Sequence, residues 1–484
     1  GDANTSAGVE NGGTITTADG GFVVLAGDYV NNTGVITATL GTVILAAGEQ
    51  VTLDIDNDGL VGFAVDEATV SELAGVENAG EIIADGGRVL MTASVANDLV
   101  ATAVNNQGLV QAHRIEEEGG EIFLTGYGGD GNHAGVIDVS GQNGHAGGTA
   151  IVYGDRDVVV ETNSQIIATG SGDAGGGSVR VIADGTLNFK TEAEIDVAEK
   201  GFVELSGHSG LAIKGSVNIG AGGELLIDPS VLTITNTGDS PSSGSSEGSH
   251  GGACPTNGCV GKGFIEGELD DGTQVTIVAS QEIRSSGGPF TISGSGSSDL
   301  GAGRLALKIG TITGSGLDCN NLGVCTSSSP TFTAGNSGDI NLADVNINIL
   351  GSFDASAGVL SGNVNLGTIT AGNVSVTAGM NAGDITIGQV SALNSSSIGS
   401  EGPLVVGGGG SLAIAAASTD LSLLALGGNI TVNGNLSLLG SNTTRVDIKA
   451  NTTSGNLTVN GNIFTSASSG DATIRLEAGG NVNV

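Results

Sequence analysis

Three acidic residues at alternate positions, Asp54, Asp56 and Asp58, are followed by Gly59 and reproduce the opening of a calcium loop. Carboxylate oxygens at that spacing suit a hard divalent cation. The twelfth position of such a loop should carry a bidentate glutamate and here is Val65, so a solvated acidic turn is expected and calcium is the secondary reading. His133 and His145 share the stretch GGDGNHAGVIDVSGQNGHAGG. Two imidazoles could ligate a metal, but no cysteine or carboxylate set completes a site, and turn positions are expected for both. Asp155-Arg156-Asp157 has the charges of an acid-and-base catalytic group, yet it lies between strand-like runs and reads as a salt-bridged turn. No nucleophile–base constellation and no phosphate loop occurs, so no catalytic, cofactor or metal residue is assigned and the chain is not expected to be an enzyme.

The four cysteines form two close pairs, Cys254 with Cys259 and Cys319 with Cys325, in Gly/Ser/Asn-rich surroundings. Three full connectivities are possible. Local disulfides in an oxidising, extracytoplasmic compartment are the leading expectation; a four-thiolate zinc site would want C-x2-C spacing.

Residues 30–48, VNNTGVITATLGTVILAAG, place an apolar residue at every second position, then a glycine, then repeat the pattern. Similar strings return at 10–26 (ENGGTITTADGGFVVLA), 76–93 (VENAGEIIADGGRVLMTA) and 104–125 (VNNQGLVQAHRIEEEGGEIFLT). The second glycine of successive copies falls at Gly41, Gly87, Gly120, Gly148, Gly177, Gly201 and Gly223. Most steps are 22 to 33 residues; the step of 46 from Gly41 to Gly87 suggests two coils. From about residue 338 the phrase becomes Gly-Asn/Asp-apolar-x-apolar, as in GDINL, GNVNL, GNVSV, GDITI, GNITV, GNLSL, GNLTV and GNVNV.

Period-two alternation means strands with one buried face, and a repeat of this length means a solenoid. With no amphipathic helix between the strands, the expected fold is all-β, a right-handed parallel β-helix with a few short external helices. Alternating Val, Ile, Leu and Ala fill a narrow core. Gly and Asn take the corners, where positive φ or a side-chain-capped turn is needed, and stacked asparagines can form ladders. At about 25 residues per coil the chain makes about 18–20 coils, which at ~4.8 Å each gives a rod on the order of 90 Å. Two stretches, DEATVSELAG (66–75) and SVANDLVATAV (94–104), read as the short external helices. Residues 1–235 form a regular β-helix, 236–262 a Gly/Ser-rich loop or hinge with a cysteine pair, and 263–484 a second β-helix region, with strands resuming at FIEGELDDGTQVTIVAS.

Composition agrees. Glycine is 87 of 484 residues, tryptophan is absent, and 51 acidic against 14 basic residues give a net charge of −37. Such a chain repels nucleic acid and anionic membrane surfaces. No run of 18 apolar residues suggests a membrane span. Asn-x-Ser/Thr triplets occur at Asn31, Asn373, Asn429, Asn435, Asn442, Asn451 and Asn456, among others, at a density that chance produces in an Asn/Ser/Thr-rich chain. The chain starts at Gly1 without a signal and reads as an internal piece of a longer, processed protein.

Three phrases carry a family resemblance: VTLDIDNDGLVGFAVDEATVSEL (51–73), VENAGEIIADGGRVLMTASVANDLVATAVNNQGLVQA (76–112) and ELLIDPSVLTI (224–234). Together they resemble the filamentous haemagglutinin family of large exoproteins exported by two-partner secretion. The resemblance is specific over about 1–235 and looser beyond. The Asn-Pro-Asn motifs of the family's secretion domain are absent, and paired cysteines depart from its shafts. It implies a right-handed β-helix, export through an outer-membrane pore partner, and an adhesin of the cell surface or extracellular space. Such an adhesin binds a host or neighbouring-cell receptor or glycan, or assembles with its own copies into fibres. The stalk of a contact-dependent toxin delivery protein, or a β-helix polysaccharide-degrading enzyme, is the alternative.

Overall fold

The computed structural model describes residues 7–48, 50–55, 61–67, 75–95, 102–115, 120–198, 200–236, 258–294, 303–313, 317–319, 325–327, 330–360 and 362–378, and strand segments between 385 and 484. The chain is all-β and a parallel β-helix. It divides into two compact units: Gly1–Asp228 with Gly244–Ser249 and Thr313–Thr331, and Pro229–Ser243 with His250–Ile312 and Phe332–Val484.

Each coil of the first unit has three faces. The first coil shows them as Gly8–Asn11, Thr14–Thr16 and Phe22–Gly27. Along each face, successive strands pair in parallel from one coil to the next. The second face stacks eight strands, from Thr14–Thr16 to Ser216–Asn218. Register is kept residue by residue: Ile15, Ile36, Ile82, Val110, Ile137, Ile166, Ile195 and Val217 form one column. From Ile36 to Ile195 each member of that column is fully buried. A one-residue slip would turn the whole column outward, so the alternation itself fixes the register.

The recurrent second glycines line one corner, but positive φ is not the general reason. Among the column members named above only Gly120 has positive φ. A Cβ at Gly87 would lie 1.9 Å from the carbonyl oxygen of Gly41, and one at Gly148 would lie 2.0 Å from that of Gly120. The coils close on each other there, and only a residue without Cβ fits. The preceding residue takes the left-handed conformation instead, as at Gly20, Leu40 and Gly86.

The 46-residue step is one coil, not two. Arg88 pairs directly with Thr42, and Val76 with Val30. The extra length leaves the coil as an antiparallel hairpin, Gln50–Ile55 with Val61–Glu67. Its second strand lies against Thr42–Ala47 and Arg88–Ser94. On those strands the outward-pointing Ile44, Ala46 and Leu90 are buried in a cluster with Phe123 and Ile151. A second apolar layer therefore sits outside the β-helix core, and an outboard element is needed to keep it from water.

The two expected external helices fall largely outside the described residues. Their flanks are strand: Asp66 and Glu67 end the hairpin, Gly75 opens a first-face strand, Ser94 ends a third-face strand and Thr102–Asn106 is a first-face strand. The helix that is present among the described residues was not anticipated. Residues 262–270, where strands were expected to resume, form a helix. Phe264, Ile265, Glu268 and Leu269 bury one helical face at i, i+1, i+4 and i+5. Lys262 pairs with Glu266 one turn on at 3.0 Å, and Gly272 at φ +83 stops the helix. Glu266 also accepts the N–H of Ser293 at 2.8 Å, tying the helix to Phe290–Gly294.

The second unit keeps three faces. Glu282–Ser286, Phe290–Gly294 and Arg304–Thr313 make one coil, and Asp339–Leu342, Val345–Ile349 and Ser352–Ser356 the next. Val364–Thr377 then continues as one strand around all three faces. Two of the Gly-Asn/Asp phrases, GNVSV and GNLSL, pair outside the main column, Val374 with Phe353 and Leu436 with Leu412; the other six stack in one column, Ile340, Val364, Ile385, Ile430, Leu457 and Val482, with Leu404 between Ile385 and Ile430. Their Asn or Asp has a defined task. Asp339 accepts the N–H of Asn363 at 2.7 Å, and Asn456 that of Asn481 at 2.9 Å, each across one coil. No helix among the described residues is long and apolar enough to cross a membrane.

Candidate functional site

The polar residues of the first unit converge on columns that run from coil to coil. The most buried lies inside the first face. Asn11 donates to Asn32 at 2.8 Å, Asn32 to Asn78 at 2.8 Å, and Asn78 to Asn106 at 2.9 Å. These are the last residues of successive first-face strands, so strict register places each amide over the next. An amide offers both donor and acceptor, and a stack of them satisfies itself without water.

His133 terminates the ladder. Its Nδ1 accepts from the Asn106 amide at 3.3 Å, and its Nε2 donates to the carbonyl of Gln165 at 3.0 Å. Those two roles require the neutral ring, and complete burial pushes its pKa down to about 4, against the opposing pull of the Gln165 carbonyl. Beyond His133 the column turns apolar, through Val160, Phe189 and Ile213. His133 is thus a joint between a polar and an apolar core. His145 lies in a turn, its N–H on the carbonyl of Gln142 at 3.0 Å.

A second column follows the corner after the second face. His113 stands between two carboxylates from neighbouring coils, with Nδ1 3.0 Å from Asp85 and Nε2 3.1 Å from Asp138. The Asp138 hydrogen bond raises the imidazole above its ordinary pKa, although burial opposes it. Burial alone would raise Asp138, but hydrogen bonds from His113 and Ser140 outweigh it and hold that carboxyl below its ordinary value. Both ring nitrogens can donate only when the ring is charged, so the geometry is that of an imidazolium joining three coils. Sequence reading passed over His113, because nothing adjacent to it in the chain marks it.

Asp155-Arg156-Asp157 is a stitched turn. Asp155 accepts from the Tyr153 hydroxyl at 2.7 Å and the Gly128 N–H at 2.8 Å. Arg156 pairs with Asp130 at 3.3 Å, and Asp157 accepts the Thr186 N–H at 2.7 Å. Every one of these contacts crosses to another coil or closes the turn. Arg88 joins Glu121 between coils in the same way.

Asp54 lies in the hairpin strand opposite Gly62; Asp56 and Asp58 lie outside the described residues. Among the described residues no group of three His, Cys, Asp or Glu side chains could hold a metal ion. Cys259 is buried and disulfide-bonded, on a strand that pairs with Thr233–Thr235. Cys319 and Cys325 face each other across an antiparallel pair of three-residue strands. Cys254 lies outside the described residues. Neither models of known protein families nor the curated proteins give a match to this chain.

Proposed function

We propose that the chain is the β-helical shaft of a secreted or cell-surface bacterial adhesin of the filamentous haemagglutinin type, without catalytic activity of its own. The observation that carries this reading is the use of the polar side chains. Buried amides and a buried imidazole bond from coil to coil, from Asn11 to His133, and so do the half-buried Asp85, His113 and Asp138. Groups spent on holding coils together serve a shaft, whereas an enzyme on this fold needs such groups converging on an open cleft.

On this reading the chain reaches the outside through an outer-membrane pore partner and meets a receptor or glycan on a host or neighbouring cell, or its own copies. Local bridges Cys254–Cys259 and Cys319–Cys325 suit that oxidising compartment. The deciding experiment is electron microscopy of native extracellular material with an antibody to this chain, alongside attachment of antibody-treated cells. Decorated rods or filaments at the cell surface and blocked attachment support the adhesin. Label confined to the cytoplasm, or unchanged attachment with no surface structure, sinks it.

A further inference from the structure

The first face carries a depression of about 240 Å³ over its later coils, lined by Thr162, Asn188, Lys190, Thr191, Ala212 and Lys214, with Phe189 beneath. Its origin is in the register. Asn188 and Ala212 are neighbours in one outward-facing column, and the small Ala212 opens a gap beside the amide. At the adjoining corner Lys190 and Lys214 succeed each other on consecutive coils, their N–H groups bonded to the carbonyls of Val160 and Phe189. The hollow is thus rimmed by two lysines, two threonines and a carboxamide, with the small Ala212 as its apolar floor.

Two lysines at the same position of consecutive coils stand out in a chain of 51 acidic and 14 basic residues. Most basic side chains among the described residues are neutralised by carboxylates: Arg88 by Glu121, Arg156 by Asp130, Arg304 by Asp354. Lys190 follows this rule, with Glu161 at 2.6 Å on its far side. Lys214 does not: it is exposed, and no carboxylate among the described residues pairs with it. An exposed ammonium beside a donor-rich hollow is a receptor for an anion.

We infer that this hollow binds a single carboxylated sugar residue. The carboxylate sits between Lys214 and Lys190, the ring hydroxyls meet Thr162, Thr191 and Asn188, and one C–H face of the ring rests on Ala212. The volume falls below that of drug-sized pockets and suits one sugar ring. The surrounding net charge of −37 disfavours a long polyanion, which feels the whole field, more than a single charge held at contact. The inference rests on the adhesive reading above and supplies its ligand class.

The test is ligand-observed NMR on the full chain, with methyl glucuronide, the methyl glycoside of N-acetylneuraminate and methyl glucoside as probes. One carboxylated probe should saturate with a dissociation constant on the order of a few millimolar, and which of the two does so names the source. The neutral glucoside should bind at least about tenfold more weakly, and added salt should weaken the acid. Lys214→Gln should lose about tenfold in affinity and Lys214→Arg should restore it; the side chain is on the surface, so both variants fold. Equal binding of the glucoside, or an unchanged Lys214→Gln, overturns the site. Cell attachment separates the two claims: attachment retained by Lys214→Gln leaves the adhesin standing and removes the site, whereas a wild-type chain that binds the acid but mediates no attachment removes the adhesin and keeps the site.

Discussion

Two histidines sit in polar columns about one coil apart and respond to pH with opposite signs. His133 is neutral when folded, and its pKa is pushed down to about 4 from ~6.5 in the unfolded chain. Its contribution is complete above pH 6.5 and is lost as pH falls through 4, up to about 3 kcal/mol. His133→Asn keeps an acceptor for Asn106 and should fold at pH 7 while losing much of that acid sensitivity. His133→Leu orphans the Asn106 amide and should cost about 2 kcal/mol at pH 7. Urea unfolding of both variants at pH 4.5 and 7 checks this; an acid limb unchanged in His133→Asn would rule out the neutral-ring joint. His113 is raised instead, so its contribution is complete below pH 6.5 and lost as pH rises through the folded value. His113→Gln should lose on the order of 1 kcal/mol at pH 5.5 and converge on wild type by pH 9. A deficit that stays constant over that range would mean packing rather than charge. The asparagine ladder was legible in the sequence, because Asn11, Asn32, Asn78 and Asn106 recur at the same place in the repeat. His113 was not: its partners lie 28 and 25 residues away, and only the realised register brings them to it.

Glycines that look alike in sequence do different work in the coils. Gly87 is closed by the carbonyl of Gly41, whereas Gly144, at φ +86, has open space around it. Gly87→Ala should force the coils apart and cost about 2–3 kcal/mol. Gly144→Ala meets only backbone strain, about 1 kcal/mol. Thermal unfolding of the pair measures the difference directly, and equal losses would remove the close-approach argument. The helix Lys262–Asp270 makes a further prediction. Burial, helped by the charge of Asp271 and opposed by a hydrogen bond to Thr273, pushes Glu268 up to about 8. A carboxyl raised this way destabilises the fold as pH climbs from ~4.5 to 8. Glu268→Gln should therefore match wild type at pH 4 and gain at least about 1 kcal/mol at pH 8; no gain at pH 8 would mean the carboxyl is solvated. The sequence reading took FIEGELDD for strand because its few apolar positions fit either period. It took the 46-residue step for two coils because an outboard hairpin carries the same alternation as a coil. Strand type was legible, but which strands stack was decided by partners that local alternation does not name.

Charge acts on the molecule as a whole. The parallel β-helix was legible from composition and period together, since abundant glycine, alternating β-branched residues and missing helical faces leave few other folds. The same composition sets a field that no single contact reveals. Ten distinct Lys or Arg side chains reach carboxylates among the described residues, yet the chain still carries −37. Two effects of salt then compete. Screening weakens those ion pairs, most of which are surface contacts worth about 0–1 kcal/mol each. Screening also relieves the repulsion among the surplus carboxylates, which opposes the compact state. With more than three acids for each base, the repulsive term is the larger, and the melting temperature should rise by several degrees between ~10 and 300 mM sodium chloride, where the Debye length falls from about 30 Å to below 8 Å. A falling melting temperature would mean that the inter-coil ion pairs dominate instead. Calcium chloride at matched ionic strength refines the result. If Asp54, Asp56 and Asp58 form only a solvated turn, calcium and sodium give the same curve once ionic strength is equal. An additional calcium-specific rise that saturates at micromolar to millimolar concentration, and is abolished by Asp56→Asn, would convert that acidic turn into a bound-cation site.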